Sequence, residues 1–288
     1  MTPTMPDLDQ LFAELRSDPR QHIPGTATYE AWKKAARAEI ESRFAGSEGI
    51  AHPFGPFGPL VLPYFRMGAI DSLDLFGLDE LIIFSFYHAN RGRYQRAIDI
   101  GANLGLHSIV LGKCGLSVKS FEPDPKHFSL LQANLKANHI DAAEPIQAAV
   151  STRDGTAEFV RVLGNTTGSH LAGAKSSYGD REFFPVTVRS VAPLFAWADL
   201  AKIDAEGHEK EILLAASAAD LGHLDIIVEI GSEANARAVF DHFTALGVNL
   251  FAQKLGWSKA RSAGDLPTSH RDGSLFISAK PAMPWSPS

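Results

Sequence analysis

The stretch that most constrains the fold of this chain is Ala97–Gly105, AIDIGANLG, with the segment that follows it. Ala97-Ile98-Asp99-Ile100 is a short apolar run with one carboxylate, the pattern of a buried parallel strand. Gly101 and Gly105 bracket a tight turn, and Leu106–Lys113 has helical character. A strand, a glycine turn and a helix in that order bring backbone N–H groups and a helix N-terminus close to a ligand, with no side chains in the way. The turn is not the dinucleotide pattern G-x-G-x-x-G, because Asn103 replaces the second glycine and Leu106 stands where the third would fall.

A second stretch, Val118–Pro125 (VKSFEPDP), narrows the ligand. Glu122 ends a strand, and Asp124-Pro125 reads as an N-cap with proline at the first helical position. An acid at the tip of the strand next to a glycine turn can accept both hydroxyls of a ribose. NAD and S-adenosylmethionine both offer that ribose, so Glu122 does not choose between them. The other carboxylates do. Asp99, Glu122, Asp204, Glu206 and Glu229 all fall near the expected C-terminal ends of strands, the ligand edge of an open α/β sheet. An acidic rim repels a pyrophosphate and suits a sulfonium and an α-ammonium, which favours S-adenosylmethionine.

IDIGANLG, FEPDP, the segment Ala148–Gly155 and KIDAEGHE (Lys202–Glu209) together resemble the FkbM-family methyltransferases in order and spacing. The resemblance runs from about Arg96 to Ile230. It implies a class I, Rossmann-like α/β fold: a doubly wound, mainly parallel, seven-stranded sheet. A helical extension (1–58) would precede a methyltransferase domain (59–282). It also implies S-adenosyl-L-methionine as cofactor, with Asp99, Gly101, Ala102, Asn103 and Gly105 on its methionine half. Glu122 and Pro123 would lie at its ribose, and His107 would border the pocket. In KIDAEGHE, Asp204 would sit at a strand tip opposite the glycine turn. Asp204, Glu206 and His208 are then the candidates for removing a proton from the acceptor. Glu209 reads as a helix-N-terminal carboxylate favoured by the macrodipole.

The acceptor that the resemblance implies is a hydroxyl on a small molecule, a sugar or natural product. N-methylation, a nicotinamide enzyme on the same scaffold and a non-catalytic cofactor-binding protein are the rival readings. Two departures from the family pattern stand out. SVAPLFAWADL lies where a Leu-Asp pair is usual, and Ala205 lies where valine is common. None of the eleven histidines forms an H-x-x-x-H or H-E-x-x-H pair, and the implied chemistry needs no metal, so none is expected.

Composition enters as exclusions. A net charge of −6 without a long basic run argues against a nucleic-acid partner. The one cysteine, Cys114, cannot form an intrachain disulfide and reads as a small core residue. The N-terminus MTPTMPDLDQ has no apolar h-region, and the longest apolar stretch, Leu81–Tyr87, is too short to span a bilayer. A soluble, cytoplasmic protein without a membrane partner is expected.

Elsewhere, helices are expected over Asp7–Arg16, Tyr29–Phe44, Leu78–Asn90, Glu209–Ser217 and Glu233–Leu246, and a third core strand over Pro145–Ser151. Val248–Gln253 and Leu275–Ala279 would form a closing antiparallel pair. Gly46–Pro63, rich in Gly and Pro, marks a boundary. Gly164–Asp180 is long for a connection within a compact domain and is therefore either functional or mobile. Asn165 and His170 in it are candidates for gripping a substrate.

Overall fold

The computed structural model describes residues 7–175 and 179–285. The first few residues, the last three and 176–178 of the long connection lie outside the described residues. The chain opens with helices α1 (Leu8–Ser17) and α2 (Ala27–Phe44), whose N-caps Asp7 and Thr26 accept from the backbone N–H groups of Gln10 and Tyr29. A short hairpin, β1 (Ala51–Pro53) and β2 (Pro59–Val61), leads to α3 (Leu78–Ala89). Regular alternation then begins with β3 (Arg96–Ile100), α4 (Leu106–Lys113), β4 (Ser117–Phe121), α5 (Pro125–Ala137) and β5 (Ala143–Ile146). Four strands interrupt it: β6 (Ala149–Ser151), β7 (Gly155–Val162), β8 (His170–Leu171) and β9 (Arg181–Ser190). It resumes with α6 (Ala192–Trp197), β10 (Leu200–Ile203), α7 (Glu209–Leu213), β11 (Asp225–Val228), α8 (Glu233–Ala245), β12 (Asn249–Ala252), β13 (Ser258–Lys259) and β14 (Leu275–Ser278).

The main sheet has the order β13-β12-β14-β11-β10-β3-β4-β5. Its strands from β11 to β5 are parallel, while β14 runs antiparallel to both β11 and β12. From β3 the chain moves outward to β4 and β5, then returns to β10 on the other side of β3. The carboxyl ends of β3 and β10 therefore flank the point where strand order reverses, the place where open α/β sheets hold ligands.

Both faces of this sheet are covered, so its strands read as near-continuous apolar runs. On one face Ala97, Val118, Leu200 and Ile227 share a core with Phe12, Ile40, Phe84 and Ile109, which brings the N-terminal helices into the same core as the sheet. On the other face Ile98, Ile100, Ala201, Ile203, Ile226 and Val228 pack against Phe195, Ile212, Val239 and Phe243.

A separate four-stranded sheet, β6-β9-β7-β8, forms the interruption. Its β7–β9 pair is antiparallel from Gly155↔Val188 to Val162↔Arg181. The chain leaving β7 docks on the N-terminal part: Ala69 N–H donates to the Gly164 carbonyl (2.7 Å) and Thr166 N–H to the Met67 carbonyl (3.0 Å). Gly68 is required there. Its φ is +92°, and a Cβ on it would lie 2.3 Å from the Gly164 carbonyl oxygen.

Three expectations need amendment. The main sheet has eight strands, not seven, because the two-residue β13 extends its edge beyond β12. Pro145–Ser151 is not one strand. Pro145 lies in the edge strand β5, where a missing N–H is tolerated, and a tight turn (Ala148 N–H to Ile146 C=O, 3.0 Å) sends Ala149–Ser151 into the second sheet as β6. The helix expected over Glu209–Ser217 closes at Leu213, where Ala215 and Ala216 donate instead to Ile212 and Leu213, three residues back.

Candidate functional site

The glycine turn follows β3 directly. Gly101 and Ala102 donate to the Phe121 carbonyl at 3.0 and 2.9 Å, which ties the turn to the tip of β4. Gly101 has φ +79°, and a Cβ there would fall 1.8 Å from the Asp204 carbonyl oxygen, so only glycine lets the β3 and β10 tips approach. Asn103 takes the left-handed conformation (φ 52°) and donates its N–H to Glu122 at 2.8 Å.

Glu122 is buried and also accepts the Asp124 N–H at 2.8 Å. Burial lifts its pKa to about 8 despite those two donors. Asp99 is fully buried; one oxygen accepts from Ser108 Oγ at 2.6 Å and the other has no partner. The side-chain oxygen of Asn103 is likewise buried and unpartnered.

Across the crevice, Asp204 follows β10 and lies 3.3 Å from Lys202 Nζ. Glu206 (φ 51°) pairs with Lys175 from the chain after β8. Burial and the nearby Asp204 raise the Glu206 pKa to about 7, against the pull of Lys175. His208 Nε2 is 2.9 Å from Ser151 Oγ, and burial holds its pKa below the usual histidine value. Glu209 accepts from the backbone N–H groups of Ala205 and Gly207, which makes it a clasp for this turn at the start of α7. Four described non-glycine residues have a left-handed backbone, and two of them, Asn103 and Glu206, face each other across the crevice. Strained positions of this kind cluster where a ligand is held.

A polar layer lies below, between the sheet and α3–α4. Lys202 is buried among Asp204, Asp99, Glu80 and Glu229; burial lowers its pKa, but the four carboxylates outweigh burial and raise it overall. Glu80 contacts His107 Nε2 at 2.6 Å, and His107 Nδ1 is 3.1 Å from the Tyr87 hydroxyl. Half-buried Glu80 is held below the ordinary carboxylate range because His107 and Lys202 outweigh its desolvation.

All of this surrounds one cavity of about 770 Å³, within the size range of small-molecule sites. Gly101, Asn103, Glu122 and Pro123 line one side, and Asp204, Glu206 and His208 another. Asp99 lies buried beneath. Ala102, Gly105 and His107 are not in its wall, and His107 is engaged with Glu80 and Tyr87 instead. Asn165 and His170 are in the wall.

Sequence reasoning passed over Lys202, Glu80 and Lys175. Lys202 is the first residue of KIDAEGHE and carried a readable signal; Lys175 lies in the long connection Gly164–Asp180 without a mark of its own, and Glu80 reaches the site from a distant helix and carried none. Among the described residues no group of three or more His, Cys, Asp or Glu side chains could hold a metal ion, and no helix is long and apolar enough to cross a membrane.

The fold and the cavity define an open α/β protein with a ligand-sized site at its strand tips. Residues 99–253 match the methyltransferase FkbM domain, more than half of the chain. The chain belongs to the FkbM methyltransferase family; it is a methyltransferase, and S-adenosyl-L-methionine is its methyl donor.

Among solved structures, it is similar to cofactor-bound Rv0187 from MTB (14% identity, 95% of this chain and 98% of that one, TM-score 0.37). It is also similar to an O-methyltransferase from Bacillus cereus in complex with SAH (11% identity, 67% and 78% coverage, TM-score 0.35). A third likeness is to precorrin-6y C5,15-methyltransferase from Geobacter metallireducens (12% identity, 66% and 82% coverage, TM-score 0.35). No curated protein matches the sequence. The family assignment rests on the domain match.

The residues present suit the donor. Unpartnered oxygens on Asp99 and Asn103 can accept from an ammonium. Glu122 keeps lone pairs for ribose hydroxyls beyond its two backbone donors, and the glycine turn leaves the backbone bare.

Proposed function

We propose that this enzyme transfers the methyl group to a hydroxyl of a small neutral molecule, a sugar or a natural product. The observation that carries the reading is the cavity wall away from the glycine turn. Thr166, Thr167, Ser169, Ser232, Asn235 and Ser269 supply hydroxyls and amides there, and Lys175, the one lysine or arginine among the described residues of the wall, is paired with Glu206. Such a wall can hydrogen-bond a polyhydroxylated acceptor, and among its described residues no lysine or arginine is free for a phosphate or carboxylate.

In this reading the bound S-adenosyl-L-methionine supplies a methyl group already activated as a sulfonium. Asp99, Gly101, Ala102, Asn103 and Gly105 shape its methionine site, with His107 behind them, while Glu122 and Pro123 take the ribose. Asp204, Glu206 and His208 line the acceptor end, and Lys202 keeps Asp204 oriented. The segment docked through Gly68 and Gly164 shields this end from water. Most of the protein's contribution is alignment. Residues 59–282 form the methyltransferase domain, and 1–58 an extension that covers it.

The test is transfer of radiolabelled methyl to neutral methyl glycosides, with glucosamine and simple amines alongside. Label in an O-methyl glycoside is the expected result. Label confined to amines would overturn hydroxyl acceptance.

A further inference from the structure

We infer that Glu229 is the group that takes the proton from the acceptor hydroxyl. The inference rests on the hydroxyl reading above. β10 and β11 are parallel neighbours with Ile203 opposite Val228, so the next rung places Asp204 beside Glu229. Both line the cavity.

The other cavity carboxylates at the strand tips are already engaged. Asp204 contacts Lys202 and Glu206 contacts Lys175. Glu209 accepts from Ala205 and Gly207, and Glu122 from Asn103 and Asp124. His208, the other candidate base, has its Nε2 against Ser151. Glu229 alone among these groups has no hydrogen bond or ion pair with a described residue.

Its surroundings then favour basicity. Asp204 just after β10 and Glu80 and Asp79 on α3 face it, with Lys202 of β10 as the opposing cation; desolvation first, and then the acids, raise its pKa well above the ordinary value. Adjacent carboxylates whose environments separate their pKa values divide the labour between them. Asp204 is engaged by Lys202. Glu229, unpaired and in the cavity wall, is the one with oxygens open to the acceptor's proton, and a raised proton affinity suits a general base.

In the step itself the acceptor oxygen bonds to the methyl carbon while the S–C bond breaks and its electron pair stays on sulfur. The hydroxyl proton passes to a Glu229 oxygen, so the products are a neutral ether, the neutral thioether and protonated Glu229.

The experiment uses the full chain and the glycoside that gives most label in the panel. Under single turnover, Glu229→Gln should slow transfer by roughly a hundredfold or more and lose the rising pH limb, while S-adenosylhomocysteine affinity by calorimetry stays unchanged. Glu229→Asp should recover part of the rate. A Gln variant with near wild-type rate, or one whose cofactor affinity falls in step with its rate, overturns the assignment. If no glycoside accepts label, the hydroxyl reading fails by itself. Glu229 is then judged by infrared titration of wild type against Glu229→Gln. A carboxyl titrating near neutral pH supports the inference, and one ionised down to about pH 5, close to an ordinary carboxylate, overturns it.

Discussion

Strand β11 carries a buried acid at its start and a half-buried one just past its end, and the two are treated in opposite ways. Asp225, only 2% exposed, accepts from the Tyr94 hydroxyl at 2.7 Å and from Ser278 Oγ and Lys280 Nζ at 2.5 Å. The Glu229 side chain accepts from no described residue. The contrast extends to the whole sheet. At the amino edge the donors match the acid; at the carboxyl edge one lysine, Lys202, stands among Asp99, Glu80, Asp204 and Glu229, and an Asp99 oxygen is left unpartnered. Buried polar groups are normally paired within the fold. A shortage of donors, rather than burial itself, therefore separates the end that fastens the sheet from the end that receives a ligand.

The sharpest way to break this comparison is at Asp225. Asp225→Ala leaves the buried Tyr94 and Ser278 hydroxyls without their acceptor and should lower the unfolding free energy by about 3–5 kcal/mol, the summed cost of two unsatisfied buried donors. S-adenosylhomocysteine affinity of the folded fraction should not change. Urea denaturation and calorimetry measure both, and a loss of affinity at intact stability would erase the distinction between the two ends.

At the other edge, Glu122→Ala should weaken S-adenosylhomocysteine binding by roughly 1.5–3 kcal/mol, the scale of charge-assisted hydrogen bonds. Equal affinity in a folded variant would take Glu122 out of the cofactor site.

The smallest effect is on the pH dependence of stability. Burial moves Glu122 from 4.5 to about 8, so between those values the folded protein binds a proton that the unfolded chain has released. Stability of the ligand-free protein should therefore fall as pH rises through that window, with no such contribution below it. Glu122→Gln should flatten this part of the slope, as read from urea midpoints across the window. A wild-type slope no steeper than the variant's would mean that Glu122 titrates normally.

What was legible in the sequence was local. The pattern AIDIGANLG specifies a strand and its turn, and a parallel sheet carries the ends of its strands to one edge. Hence Asp99, Glu122, Asp204, Glu206 and Glu229 gather around one crevice. Asp124 was readable as the N-cap of α5, and its side chain does accept the Lys126 N–H. Its second engagement, with Arg161 at 2.6 and 2.7 Å, was not readable, because 37 residues and a second sheet separate the two. The same holds for Glu80, which α3 delivers to Lys202 from far upstream, and for His107, whose helix turns it toward Glu80 and Tyr87. The turn after Ile146 that diverts Ala149–Ser151 left no mark in the hydrophobic pattern.

The docking of the chain after β7 onto 67–69 uses main-chain groups only: two hydrogen bonds and the bridge Gly68↔Asn165. Main-chain fastening is indifferent to the side chains hung upon it. The hydroxyls of Thr166, Thr167 and Ser169 bond to His127, Asn165 and the Val162 N–H, none of them in 67–69, so exchanging them leaves these docking bonds in place, whereas Gly68 cannot be exchanged. Acceptor preference in such a protein can drift by single substitutions over a clamp that stays put, so homologues with different acceptors are expected to differ at those three positions and to keep the glycine.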